Sequence, residues 1–319
     1  MSARVVVLAG GLSHERDVSL RSGRRVAEAL RSTGIEVSLA DVDAALLPAL
    51  AADPPTVVIP LLHGATGEDG ALRDVLAMLA LPYVGSGPDA CRVAFDKPSA
   101  KSAVSAAGLA TPASVVLPQT TFRELGAAAV MGALIDTLGL PLMVKPARGG
   151  SSLGAAVVRT TAELPAAMVG CFSYGDTALV EQFVAGTEVA VSVIETEGGV
   201  LALPLVEIVP DGGFYDYSAR YTAGATEFFA PARLSVEVAA ACAAMAVNAH
   251  QVLHLRDLSR TDLIVDHTGA PWFLEVNVAP GMTETSLFPQ AAEAAGLDLG
   301  TLWHGLVDRA VARNRHSQN

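Results

Sequence analysis

The sequence predicts an α/β unit followed by two mixed α+β units. Three observations point there. Short apolar strands alternate with helix-like runs through residues 1–90. A strand ending in lysine and a Gly/Ser loop then mark a second unit, expected over 91–184. Two strand-like runs joined by a His-Thr-Gly turn mark a third, over 185–319. Alternation of strand and helix favours a parallel sheet, whereas grouped strands favour antiparallel pairing.

In the first unit, residues 4–9, RVVVLA, form a buried strand ending at Gly10-Gly11. LSHERD follows, then a helix from Val18 to Leu30, a strand over Ile35–Leu39 and another over Thr56–Leu62. The last leads into His63-Gly-Ala-Thr-Gly-Glu-Asp-Gly and a helix to Leu79. Loops at the carboxyl ends of parallel strands face ligand, which puts Glu15 and His63 on that side. The GxGxxG pattern is absent at Gly10, as is a clean acidic residue at the tip of the second strand, which argues against a dinucleotide fold. The second unit opens with a helix bearing Lys97 and Lys101. A helix around Phe122–Leu138, a strand over Leu142–Lys145, a strand over Ala155–Val158 and a helix toward Cys171 come next. The third holds strands near 187–195 and 200–208, an aromatic glycine-rich segment at 210–226 and an alanine-rich helix over Leu234–Leu253.

The chemistry concentrates near the end. In WFLEVNVAPGMTETSL, residues 272–287, Glu275 and Asn277 stand two apart and so share one side of a strand. Arg260 and Asp262 do the same in SRTDLIVD. A hairpin brings Asp262, Glu275 and Asn277 together with Arg260 beside them. Three oxygen ligands suit Mg²⁺, and the arginine can meet charge that develops next to it. This reads as a phosphoryl-transfer site. GGSSLG, residues 149–154, can bring backbone N–H groups and hydroxyls close to phosphate. It lacks the GK[ST] ending of a Walker A loop and is closer to the glycine-rich lid of a kinase. Lys145 at its entry and Lys97 are candidate phosphate-binding ammoniums. Glu181-Gln182-Phe183 end an apolar strand that can present its edge to a purine, with Glu188 placed for a ribose hydroxyl.

Composition sets the outer limits. A net charge of -12 argues against a nucleic-acid partner. The mean hydropathy of +0.42 is high, but no apolar run reaches the roughly 18–20 residues of a membrane span. MSARVVVLAGG is too brief for a secretory signal, so a cytoplasmic protein is expected. Cys91, Cys171 and Cys242 show no ligand spacing and read as small buried hydrophobes.

Eight stretches together resemble the D-alanine–D-alanine ligases of the ATP-grasp superfamily. They are GGLSHERDVSLRSG (10–23), LHGATGEDG (62–70), DKPSAK (96–101), VKPARGGSSLG (144–154), EQFVAGTEVAV (181–191), FYDYSARY (214–221), SRTDLIV (259–265) and FLEVNVAPGMTETSL (273–287), in family order over nearly the whole chain. The resemblance implies an ATP-grasp fold with an N-terminal open parallel α/β domain, and a cytoplasmic homodimer serving peptidoglycan precursor synthesis. It implies that ATP phosphorylates one D-alanine and that the amine of a second displaces phosphate. By resemblance, Asp262, Glu275 and Asn277 hold two Mg²⁺, with Mn²⁺ as an alternative. Lys97, Lys145, Arg220 and Ser151 with the glycine loop meet the phosphates. Glu181, Gln182 and Phe183 line the adenine pocket, and Glu188 meets the ribose. Glu15 anchors the first ammonium within a Ser151–Tyr221–Glu15 network. Arg260 and Gly281 N–H form the oxyanion hole, Ser286 and Leu287 hold the second carboxylate, and His63 lies by the second amino acid. Tyr221 favours an amine over the hydroxyl of D-lactate. Gly149, Gln182, Arg220 and Arg73-Asp74 depart from the family's usual residues without removing a metal ligand or an oxyanion donor. Related ligases with another acceptor, D-lactate or D-serine, are the alternative.

Overall fold

The β-branched run at the start of the chain becomes the centre of a parallel sheet. In this computed structural model, which describes residues 4–222 and 224–317, β1 (Arg4–Leu8) lies between β2 (Glu36–Ala40) and β3 (Val57–Pro60). The side chains of Ser218, Tyr221, His316 and Ser317 also fall outside the described set. α1 (Arg16–Ser32) and α2 (Leu46–Ala52) link the strands, and α3 (Ala65–Glu68) and α4 (Ala71–Met78) follow them. Both faces of β1 are covered, as a crossover-connected parallel sheet requires.

Two helices come next, α5 (Pro88–Phe95) and α6 (Lys97–Ala106). Asp96 caps α6 by accepting from Ser99 N–H at 3.0 Å. Although the sequence groups them with the second unit, Cys91, Ala94, Ala100 and Val104 pack into the core beneath the last sheet. The second sheet runs β4-β7-β5-β6, all antiparallel, from β4 (Ser114–Pro118), β5 (Leu142–Pro146), β6 (Ala156–Val158) and β7 (Thr177–Gln182). α7 (Gln119–Leu125), α8 (Ala127–Leu138) and α9 (Leu164–Phe172) cover it. The single helix expected over Phe122–Leu138 is two helices. Gly126 at φ +87° leaves the right-handed region between them.

The largest sheet runs β11-β10-β8-β12-β13, with β9 also on β8. Its strands are β8 (Gly186–Thr196), β9 (Gly199–Ala202), β10 (Val206–Pro210), β11 (Thr226–Phe229), β12 (Leu258–Asp266) and β13 (Pro271–Asn277). The short α10 (Tyr217–Tyr221) and the long α11 (Val236–Val252) lie within this region, and α12 (Leu287–Ala294) and α13 (Leu299–Ser317) end it. Strand alternation gives the sheet two different faces. Val189, Val191, Val193, Leu263 and Phe273 pack against α11 and the α5–α6 pair. Ala190, Ile194 and Ile208 share the opposite core with α12, α13 and the first sheet.

A polar joint ties the first sheet to the last. Asp257, fully buried at φ +66°, accepts from Gly85 N–H at 2.7 Å and from both terminal nitrogens of Arg313 at 2.5 and 2.7 Å. Arg313 also reaches the Tyr83 carbonyl at 3.2 Å, and Arg256 Nε the Gly85 carbonyl at 2.6 Å. The three cysteines are free and buried. Among the described residues, no helix is long and apolar enough to cross a membrane.

Candidate active site

On the second face of the large sheet, the apolar surface gives way to charge. Register pairs Asp262 with Glu275 and Arg260 with Asn277 across β12 and β13, and Ile264 with Glu188 across β12 and β8. These cross-strand partners lie on one face. A bulge between Asp262 and Leu263 shifts the partner of Leu263 to Phe273 and leaves Leu274 over. Phe273 therefore enters the core while Glu275, two residues on, faces the cleft.

The hairpin's acids already have cationic neighbours. Arg260 grips Asp262 at 2.7 and 2.8 Å, and Lys97 Nζ stands 3.4 Å from Glu275. Burial pushes the Glu275 carboxyl upward, but Lys97, Lys145, Arg220 and Arg260 outweigh it and hold the group at about 2. Asn277 Oδ1 accepts from Ala279 N–H at 2.8 Å. Two carboxylates and an amide oxygen on adjoining rungs are hard donors and fit Mg²⁺ or Mn²⁺. Among the described residues no three His, Cys, Asp or Glu side chains gather into a metal site. The donor set thus depends on the Asn277 amide.

Opposite the hairpin, residues 147–155 connect the antiparallel strands β5 and β6. Ser151 and Ser152 both adopt left-handed backbone, φ +52° and +55°. Non-glycine residues rarely do so. Lys97 Nζ donates to the Gly149 carbonyl at 2.7 Å, tethering the loop to α6. Ser152 Oγ donates to the Tyr215 carbonyl at 3.0 Å and accepts from Arg220 Nε at 3.2 Å. The Arg220 guanidinium lies 4.2 Å above the Tyr215 ring. Ser152 and Tyr215, which the sequence did not single out, therefore join the glycine loop to the aromatic segment.

Two cavities meet between these parts. The larger, about 400 Å³, is lined by Lys145, Glu181, Gln182, Phe183, Glu188 and Asp262 among others. Its Glu188 carboxyl is raised to about 7, by burial first and by Asp262 and Glu275, against Arg220 and Arg260. The smaller, about 130 Å³, contains Glu15, His63, Glu68, Arg260, Gly281 and Ser286. Lys97, Gly149, Gly150, Tyr215, Arg220 and Glu275 line both.

Within the smaller cavity, Ser151 Oγ donates to Glu15 Oε1. The Tyr221 side chain, the third member of the expected network, lies outside the described residues. His63 is 5% exposed; its ring bonds the Ala279 backbone, and Nε2 has no partner among the described residues. Burial lowers its pKa, with Glu15 opposing and Arg260 assisting, so the ring is neutral and Nε2 can accept a proton. Ser286 occupies the N-cap of α12, yet its hydroxyl turns away from the helix. It accepts from Thr283 N–H at 3.0 Å and meets Thr283 Oγ1 at 2.8 Å. The first N–H groups of α12, Leu287 among them, are left for an anion. A Cβ on Gly281 would stand 2.8 Å from Ser286 Oγ and would push that hydroxyl from its place beside Thr283. Glu68, also missed from sequence, accepts from Gly64 N–H at 2.8 Å.

A glycine loop on one sheet closing against an acidic hairpin on another, over a cleft with two chambers, is the arrangement of the ATP-grasp ligases. The family model for the D-Ala D-Ala ligase C-terminus matches residues 103–308. A D-alanine–D-alanine ligase of Anaeromyxobacter dehalogenans (strain 2CP-C) is 42% identical over 312 residues, 97% of each chain. That of Bordetella petrii is 41% identical over 97% of this chain and 93% of its own. The chain belongs to the D-alanine–D-alanine ligase family. Among solved structures, the Bacillus anthracis D-alanine–D-alanine ligase complexed with ATP superposes with a TM-score of 0.82, at 26% identity and 99% coverage of both chains. The VanG D-Ala:D-Ser ligase from Enterococcus faecalis gives 0.84 at 26% identity, over 97% of this chain and 100% of its own.

Proposed function

We propose that this chain joins two D-alanine molecules into D-alanyl-D-alanine, consuming ATP and releasing ADP and phosphate. One observation carries the reading: a chamber sized for small amino acids and a larger one sized for a nucleotide share a wall of Lys97, the glycine loop, Arg220 and Glu275. A carboxylate in the first can reach a terminal phosphate in the second.

A carboxylate is a poor electrophile, and phosphorylation converts it into one. The first D-alanine places its ammonium on Glu15, which Ser151 orients. Its carboxylate oxygen attacks the γ-phosphorus and ADP departs. Lys97, Lys145 and Arg220 offset the phosphate charge, the chain's main contribution being position and electrostatics. Asp262, Glu275 and Asn277 would hold Mg²⁺, which would supply positive charge at the phosphates. Glu181, Gln182 and Phe183 take the base and Glu188 the ribose. The second D-alanine docks its carboxylate on Ser286 and the Leu287 N–H. His63 Nε2 accepts a proton from its ammonium, and the freed amine attacks the acyl carbon. Arg260 and Gly281 N–H hold the tetrahedral oxyanion until phosphate leaves. Closure of the glycine loop on the aromatic segment keeps water from the acyl phosphate. In this reading the units span 1–90, 91–184 and 185–319, and the protein is a cytoplasmic homodimer that supplies peptidoglycan precursors. Similarity to VanG supports D-serine as a second acceptor.

The test is ADP release by the purified protein with Mg²⁺, ATP and D-alanine, with D-serine, D-lactate and L-alanine in parallel and products weighed by mass spectrometry. Dipeptide from D-alanine alone supports the reading; ATP turnover only with another amine transfers it to that acceptor. Glu275→Ala is expected to lower ADP release about 1000-fold or more. Normal release would remove Glu275 from the phosphoryl-transfer site.

A further inference from the structure

Lys101 lines neither chamber, yet it is 4% exposed, and the reaction described above does not use it. It lies one turn beyond Lys97 on α6, and the i, i+4 spacing sets both ammoniums on one face of that helix. Its Nζ donates to the Pro112 carbonyl at 2.9 Å and to Glu181 Oε1. Lys145 takes the other oxygen, Glu181 Oε2, at 2.7 Å. The carboxylate, 1% exposed, is therefore held between two cations, one on the wall of the larger chamber and one behind it.

One cation is enough to neutralise Glu181. A second buried ammonium carries a desolvation cost that neutrality does not demand, so the pair of lysines divides two tasks. Lys145 faces the chamber and also feels Glu275 and Glu188, so phosphate oxygens entering there compete for it. Lys101 is fixed at Pro112 and cannot follow. Without it, departure of Lys145 would strand a buried carboxylate, which would then take up a proton. With it, Glu181 stays an acceptor-only group on the wall beside Gln182 and Phe183.

We propose that Lys101 is a positioning residue for nucleotide recognition: from behind Glu181 it keeps that carboxylate charged and in place as the acceptor for an amino group of the base, and so releases Lys145 to the phosphates. The inference rests on reading the larger chamber as an ATP site. Burial and charge agree with it. Against burial, Lys145 and Lys101 together hold the Glu181 carboxyl below its usual range.

The experiment compares ATP with purine riboside triphosphate, which lacks the 6-amino group, by calorimetric binding and by ADP release. Lys101→Met keeps the aliphatic stem and removes the charge. Its KM for ATP is expected to rise about tenfold, and the preference for ATP over the analogue to fall by a similar factor. The KM for D-alanine stays as it is, and Lys101→Arg, which retains the charge, recovers part of the preference. A folded Lys101→Met protein with the wild-type preference overturns the proposal. If that variant does not fold, Lys101→Gln, which keeps a donor for Pro112 and Glu181 but no charge, tests the same point: lost preference supports it and retained preference overturns it. Wild-type protein that binds no ATP overturns this inference together with the proposed function. Wild-type protein that turns ATP over, beside a folded variant with unchanged preference, overturns this inference alone.

Discussion

Glu68 keeps its proton at neutral pH. Burial lifts its carboxyl from 4.5 to about 8 and Glu15 adds to this, while the Gly64 N–H, Lys97 and Arg260 pull the other way. Between those two values the folded chain holds a proton that the unfolded chain has lost. Stability contributed by this group therefore falls as pH rises from about 4.5 to about 8, then levels off. Glu68→Gln preserves an oxygen for Gly64 N–H and cannot ionise. At pH 8 it is expected to be more stable than wild type by on the order of 3 kcal/mol, and at pH 5 nearly equal. Urea melts at both pH values decide this; parallel losses in the two proteins would show that Glu68 ionises freely in the fold. Single residues such as Glu15, His63 and Ser286 were legible because motifs surround them. Glu68 sits inside one of those motifs, but its protonation depends on burial that no spacing reveals.

At the scale of elements, α1 connects the two ends of the small chamber. Its N-cap is Glu15. Two turns on, Ser22 Oγ accepts from Met282 N–H at 2.9 Å, and Arg25 Nη1 donates to the Met282 and Thr283 carbonyls at 3.3 and 2.7 Å. The turn that bears Gly281 and leads to Ser286 is thus held by the helix that bears Glu15. Removing these bonds with Ser22→Ala and Arg25→Ala is expected to raise KM for the second D-alanine about tenfold, equivalent to about 1.4 kcal/mol of lost positioning, with KM for ATP unchanged. Initial rates over a D-alanine series at saturating ATP measure the effect. Equal changes in both KM values would mean a general loosening instead. Many strands, with α1 and α11, were legible from period and turn residues to within one or two positions. However, α2 and α5 were not expected, and the strand expected near 200–208 is two, β9 and β10. The bulge at Asp262/Leu263 was not legible either. Strict alternation sets Phe273 and Glu275 on one face; the bulge separates them, and no glycine or proline marks it.

The whole molecule depends on contacts far apart in sequence. Glu181 meets Lys101 across 80 residues, and Asp257 meets Gly85 across 172. Such pairs leave no periodic signature, so family resemblance carried the site's assembly, while the joint at Asp257 was not foreseen at all. Arg313→Ala strips the bidentate partner from a fully buried carboxylate. It is expected to destabilise the protein by about 3 kcal/mol, because the buried charge is left with only the Gly85 N–H and Arg309 Nε at 3.9 Å. Thermal and urea unfolding report this; a change under about 0.5 kcal/mol would mean Asp257 is satisfied without it.

That joint also bears on birth order. During translation Asp257 emerges 56 residues ahead of Arg313, and long after the first sheet can fold. Throughout this interval the segment around Gly85 lacks its final fastening, so a nascent chain stalled before Arg313 should be cut there by protease faster than the full-length protein.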